Sequence, residues 1–187
     1  MAFTVVLDAC VLYSAPLRDL LLSVAETGLY RPRWTEAIND EWTKSLKAKF
    51  PEKSDKIDRT RLLVDRSVPD CLITGYESLI PSLSLPDEND RHVFAAAICG
   101  RADVIVTTNV RDFPVLSLAN FGIKAWHPDR CLIHLLSLDD AKVLHAVKTI
   151  RGRLRHPVVS PADYLDNLQR IGLSNSASYL RQLISHI

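Results

Sequence analysis

Short β-branched or apolar runs alternate with stretches of helical spacing through the first two thirds of the chain. "FTVVL" (residues 3–7) is such a run ending at Asp8, and "VLYSAPLRDLLLSVAETG" then reads as a helix closed by Gly28. "LYRP" (29–32) is a second short strand, and Trp34, Ile38, Trp42 and Leu46 carry helical spacing through residues 34–50. A further helix covers 53–66, with Ile57, Leu62 and Leu63 on its apolar side. "CLITGY" (71–76) reads as a strand ending in a turn, 88–99 as a helix, "DVIVTTN" (103–109) as a strand, and "GIKAWHP" (122–128) as a fifth strand after a short helical piece. This alternation predicts an open parallel α/β sheet of five strands flanked by helices.

From Pro128 onward the strand signal stops. Three helical patterns follow, over about 129–136, 138–151 and 161–186, the last broken near Gly172. Ser137 or Asp139 can cap the second, and Ser160-Pro161 opens the third with proline at the first helical position. The expected division is an α/β domain over 1–127 and an all-helical extension over 128–187.

Composition narrows the class. With 47% apolar and 24% charged residues among 187, the chain matches an ordinary soluble globular protein. No apolar run approaches the roughly 20 residues that span a bilayer, and "MAFTVVLDAC" has no basic segment ahead of a signal-like stretch. The expectation is a cytoplasmic protein with no membrane partner. Cys10, Cys71, Cys99 and Cys131 lie far apart in apolar contexts without a Cys-x-x-Cys pair, and read as buried thiols.

The net charge of +1 conceals segregation along the chain. Residues 1–43 carry 3 basic and 6 acidic side chains and residues 67–127 carry 4 and 7, whereas 44–66 carry 8 and 4 and 128–187 carry 8 and 5. Acidic segments hold the strands and basic segments flank them. That pattern suits either solvated helix faces or an acidic site framed for a polyanion.

Ligands of open parallel sheets bind beyond the carboxyl ends of the strands. Asp8 ends the first strand, Asn109 and Asp112 follow "VIVTT", and Asp90 in "SLPDENDRHVFAAAI" sits at a helix start that right-handed connections bring to the same edge. Each has a plainer explanation. Asp8 and Asp87 read as helix caps, Asp112 as a turn residue before Phe113-Pro114, and Glu41 as a solvated helix residue. Together, however, converging carboxylates are repulsive without a cation, and hard divalent ions favour a few carboxylates plus waters. A carboxylate in a first helical turn is expected to stay ionised.

At these positions the chain resembles the PIN-domain nucleases, most of all the VapC-type toxins of bacterial toxin-antitoxin systems. "VVLDACVLYS", "NDEW", "LPDENDRHVFAAAI" and "ADVIVTTNVRDFP" occur in that family's order and rough spacing, over about residues 3–127. The resemblance implies a five-stranded parallel sheet and an Mg²⁺- or Mn²⁺-dependent endoribonuclease site. Its four acidic positions fall on Asp8, Glu41, Asp90 and Asp112, with Asp8, Asp90 and Asp112 as metal ligands and Thr107, Asn109 and Asp87 as auxiliary groups. It further implies an RNA substrate and a neutralising cognate antitoxin, and it suggests a homodimer. The family often places a small hydroxyl or amide after the first Asp, where this chain has Ala9 and Cys10.

The helical tail resembles the extension of a longer PIN subgroup. Its segment "KTIRGRLRHP" groups Lys148, Arg151, Arg153, Arg155 and His156 without an acid, as an RNA-phosphate contact or a solvated helix end. Cys131 and His134, one turn apart, read as core packing. Three alternatives to RNA cleavage stand beside the leading reading: a catalytically degenerate PIN module binding RNA or a protein, a PIN nuclease acting on DNA, and an Asp-nucleophile phosphatase. The last would need a second Asp at position 10, which is cysteine.

Overall fold

A computed structural model describes residues 3–187. Four strands form one parallel sheet: β1 (Phe3–Leu7), β2 (Tyr30–Arg33), β3 (Val104–Val106) and β4 (Lys124–Trp126), in the order β2-β1-β3-β4. Val5 and Val6 of β1 and all of β3 are buried, which is why both read as unbroken β-branched runs rather than alternating ones. The described residues contain no helix long and apolar enough to cross a membrane.

Of the five expected strands the third, "CLITGY", is not a strand, while the fifth, "GIKAWHP", supplies β4. In "CLITGY" only Leu72 pairs, as a single bridge to Trp34 held by Trp34 N–H to Cys71 O (2.9 Å) and Ile73 N–H to Trp34 O (2.8 Å). Gly75, at φ 76°, then turns the chain away. The segment instead inserts Cys71, Ile73 and Tyr76 into the core beside the β2 edge.

The first long helix is likewise two, α1 (Ala9–Tyr13) and α2 (Ala15–Glu26), separated at Ser14. Pro16 stands in the first turn of α2, where its missing N–H needs no partner. The buried Arg18 spans the break, donating to the Leu12 carbonyl at 2.7 Å with its guanidinium over the Trp42 ring. Next come α3 (Glu36–Lys49) and α4 (Ser54–Ser67), tied by Asp65. That carboxylate accepts from Trp34 Nε1 (2.7 Å) and Asn39 Nδ2 (3.0 Å), while Trp42 Nε1 donates to Asn39 Oδ1 (2.9 Å). This buried network fixes the rotation of α3, turning Ile38 and Trp42 inward and Glu41 to the surface.

Helix α5 (Arg91–Cys99) buries Val93 through Ala97, and its small alanines let it approach β1 and β3 closely. After β3 and α6 (Val115–Ala119), β4 leads into the helical tail: α7 (Pro128–Leu138), α8 (Asp140–Arg153), α9 (Pro161–Arg170) and α10 (Ser174–Arg181). The tail is anchored twice, by α8 packing on α2 and by Asp129 of α7. The Asp129 carboxylate accepts from Ser176 N–H (2.9 Å), Ser176 Oγ (2.6 Å), Asn175 N–H (3.0 Å) and Asn175 Nδ2 (2.8 Å), capping α10 from 46 residues away in sequence. Burial pushes its pKa up, but these donors outweigh burial and hold it below the ordinary value.

His134 presents its ring to Phe3 and Trp126, centroids 5.4 and 5.1 Å away, and Cys131 is fully buried. That pair is packing, as expected. The cysteines as a set are not uniformly buried: Cys71 and Cys131 are, Cys10 is part-exposed and Cys99 is exposed, because Cys99 ends α5 on its solvent side.

Candidate active site

β1 and β3 are adjacent in the sheet, and the connections that leave their carboxyl ends run in opposite directions, toward β2 and toward β4. Such a switch point leaves a crevice. Asp8 and Thr107 occupy it, each one residue beyond the paired Leu7 and Val106. Backbone pairing continues into the loop, with Asp8 N–H on Val106 O (3.1 Å) and Thr107 N–H on Trp126 O (3.0 Å), so both side chains start from rigid positions.

The buried Asp8 carboxylate is held from three sides. Oδ1 accepts from Ala9 N–H (2.6 Å), which caps α1; Oδ2 accepts from Thr107 Oγ1 (2.7 Å) and from the Cys10 thiol (3.2 Å). Thr107 is fully buried and its oxygen also accepts Asn109 N–H (3.0 Å), tying the two auxiliary positions together. The Cys10 sulfur accepts Thr108 N–H (3.3 Å). Burial and the Asp8 charge push the Cys10 thiol above its usual pKa, so it remains a protonated donor. Cys10 therefore supplies a donor to Asp8 at the corner where the chain has no small hydroxyl or amide. The sequence held the signal, a small polarisable donor two residues after Asp8, but the buried-thiol reading hid it.

Asp87 caps a 3-10 turn over Glu88–Asp90, its Oδ1 accepting Asn89 N–H at 2.9 Å. Asp90 ends that turn and starts α5, yet its own side chain makes no cap bond. It faces other acids instead. Burial, then Asp8, Asp87 and Asp112, push the Asp90 carboxyl up to about 6, against a smaller opposing pull from His92. Burial and three like charges thus lift Asp90 above the ordinary carboxylate value at this helix start, while a value of about 6 still leaves it mostly ionised near pH 7. Asp112 ends the 3-10 turn Val110–Asp112, its N–H on Asn109 O (3.0 Å), and lies half-buried within the field of Asp90.

Glu41 is half-exposed and points to His92, with Oε1 2.7 Å from Nε2. His92, only 13% exposed and two residues beyond Asp90, thus brings a ring nitrogen close to the α3 acid, and neither of its ring nitrogens makes a hydrogen bond among the described residues. Sequence reading passed over it because a histidine inside "DRHVF" carries no periodic signal. Beside Glu41, a groove of about 700 Å³ runs between α1 and α3, lined by Ala9, Cys10, Tyr13, Lys44 and Ser45.

The structure therefore brings Asp8, Asp87, Asp90 and Asp112 into one electrostatic neighbourhood, with Thr107 and Asn109 bonded into it and Glu41 at its rim. Among the described residues, no Lys or Arg forms an ion pair with Asp8, Asp90 or Asp112. Arg91, which follows Asp90 in the chain, pairs with Glu88 at 2.5 Å. In chemistry the donor set fits a hard divalent cation: oxygen only, negative and uncompensated. As the side chains stand, no three His, Cys, Asp or Glu among the described residues converge closely enough to hold an ion. The basic segment of the tail lies on the end of α8 and beyond. Arg151 donates to the Val159 and Ile187 carbonyls (3.3 and 3.2 Å), which makes it structural, whereas Lys148, Arg153 and Arg155 are exposed.

A family model described as PIN domain matches residues 4–111, the stretch that contains Asp8, Glu41, Asp87, Asp90, His92, Thr107 and Asn109 but not Asp112. The chain belongs to the PIN-domain family. A second family model, described as VapC50 C-terminal domain, matches residues 128–182, the helical tail of this PIN protein. A curated relative, "Putative ribonuclease VapC50" of Mycobacterium tuberculosis (strain ATCC 25618 / H37Rv), is 38% identical over 106 residues, which is 54% of this chain and 62% of the relative. The chain thus matches a little under two thirds of that relative's length. No solved structure gives a match to the PIN domain or its tail.

Proposed function

We propose that this PIN protein is a divalent-metal-dependent endoribonuclease and the toxin of a toxin-antitoxin pair. One observation carries the reading: a set of carboxylates at the sheet's switch point, with no countercharge, in which Asp90 is pushed up to about 6. A chain does not keep such a set for stability, since like charges in a half-buried site are unfavourable. The name of the matched relative supports RNA as the substrate.

Asp8, Asp90 and Asp112 would hold Mg²⁺ or Mn²⁺, which supplies Lewis acidity toward a phosphate oxygen and an activated water. The protein's own groups prepare that chemistry. Thr107 and Cys10 occupy both acceptor positions of Asp8 Oδ2, and Oδ1, which accepts only the Ala9 N–H, keeps one lone pair for a cation. Asn109, exposed at the same edge, is placed to orient a phosphate oxygen or a water. Glu41, on the α3 side, can accept a proton at its free carboxylate oxygen. A cognate antitoxin would silence the enzyme by covering this acidic edge or the helices beside it.

Purified protein with Mn²⁺ or Mg²⁺ is expected to cut single-stranded RNA, with Asp8→Ala and Asp90→Ala inactive. Cleavage by both variants at the parent rate would sink the catalytic assignment. The closeness of His92 to Glu41 favours a second reading, a PIN module that binds RNA without cutting it. Calorimetry separates the two, because only the nuclease needs Mn²⁺ binding that depends on Asp8 and Asp90. Parallel assays on single-stranded DNA distinguish the substrate.

A further inference from the structure

The groove between α1 and α3 touches the acidic site at one end and carries different chemistry at the other. Cys10 and Glu41 line it where it meets the acids; Tyr13, Lys44 and Ser45 line it further along, with Ala9 and Ala48 as small walls. Its volume of about 700 Å³ lies in the ~300–1,000 Å³ range of clefts that enclose a small organic ligand, which leaves room for a nucleotide unit.

The lining residues differ in what they have left to offer. Of the α3 lysines, Lys47 is committed to Asp58 at 2.6 Å and Lys49 lies over the Phe50 ring, whereas Lys44 is exposed with neither kind of partner among the described residues. Of the two aromatics, Trp42 is buried under the Arg18 guanidinium with its Nε1 spent on Asn39. Tyr13 is partly buried, with its ring packed on one side against the core and its remaining surface lining the groove. An unpaired cation and the groove-facing part of an aromatic ring, in a cleft next to the acidic site, are the two kinds of group that single-stranded nucleic acid uses. Glu41 sets the polarity, because its negative charge repels phosphate from one end and Lys44 attracts it at the other.

Building on the nuclease reading, we propose that this groove is a subsite for single-stranded RNA next to the cleaved bond. Tyr13 stacks on a base, Lys44 holds the adjoining phosphate, and Ser45 hydrogen-bonds the same backbone. Neither Tyr13 nor Lys44 touches the reacting phosphate, so their effect falls on substrate affinity rather than on the chemical step.

The test is fluorescence anisotropy of the full chain with a fluorescein-labelled oligouridylate in EDTA, where cleavage cannot occur, followed by cleavage kinetics in Mn²⁺. Tyr13→Ala and Lys44→Gln should each weaken binding by roughly 5- to 30-fold, while Tyr13→Phe and Lys44→Arg stay within about twofold of the parent. Lys44→Gln should also flatten the dependence of log affinity on log salt by about 0.7. In Mn²⁺ the two damaging variants should raise KM and leave kcat near the parent value. If Tyr13→Ala and Lys44→Gln bind the oligonucleotide as the parent does, the groove is left to a protein segment and the proposal is overturned. Equal losses in Tyr13→Phe and Tyr13→Ala would overturn stacking. Variant-sensitive binding by a parent that cuts no RNA would support the subsite and reject the nuclease reading, so the two failures are distinguishable.

Discussion

Asp129 and Asp90 are the same side chain at the same kind of place, near the start of a helix that follows a loop, and they are perturbed in opposite directions. Asp129 is 6% exposed and accepts four hydrogen bonds from Asn175 and Ser176, and its pKa is held below the ordinary value although burial alone would raise it. Asp90 is half-buried, makes no cap bond, faces three acids, and is pushed up to about 6. The tail therefore satisfies the Asp129 charge from within the chain, whereas the PIN domain, which does the same for Asp8, leaves Asp90 facing like charges. An internally satisfied carboxylate belongs to the architecture. An unsatisfied one marks a site that something from outside must complete.

The sharpest way to break this contrast is to neutralise each acid in turn. Asp90→Asn should cost about 10³-fold or more in RNA cleavage, roughly 4 kcal/mol of transition-state stabilisation, while leaving the metal-free fold as stable as the parent or up to about 1 kcal/mol more so. Asp129→Ala should do the reverse. It strands the donors of Asn175 and Ser176, lowering stability in chemical denaturation by about 2–4 kcal/mol, while cleavage measured well below the melting temperature stays within a few fold of the parent.

The pH dependence separates the two acids again. Because the folded pKa of Asp129 is depressed, its stabilisation is complete above its unfolded value of about 4 and is lost as pH falls through the lower folded value. Asp90 has a folded value raised to about 6, so the folded state binds the extra proton and metal-free stability should fall as pH rises from about 4 to 6. Denaturation curves at pH 5 and pH 7 check this: the parent should gain stability at the lower pH relative to Asp90→Asn. The smallest effect concerns the Cys10 thiol. Cys10→Ala removes one weak bond to Asp8 Oδ2 and should lower cleavage by about 3- to 10-fold, and Cys10→Ser should restore most of it.

What the chain reveals before folding follows the range of the interactions. The buried β-branched runs of β1 and β3, and the Gly28 that closes α2 at φ 78°, are local signals and were legible. "CLITGY" misled because its apolar content serves the core while only Leu72 reaches a neighbouring backbone. Ser14 and Pro16 did mark a helix start, but the apolar spacing across them masked the break that Arg18 bridges. In the site, the four acidic positions stood out as motifs, whereas Cys10 and His92 act through partners, Thr107 and Glu41, that lie far away in sequence. The Asp129 clamp on Ser176 had no local signature for the same reason.

The central claim is that the acids around Asp90 form a set waiting for a divalent cation. Thermal unfolding of the parent, Asp8→Asn and Asp90→Asn with and without Mn²⁺ tests it most directly. A saturable rise in Tm for the parent that is lost in both variants is the predicted result. Equal rises in all three proteins, or none in the parent, would contradict it.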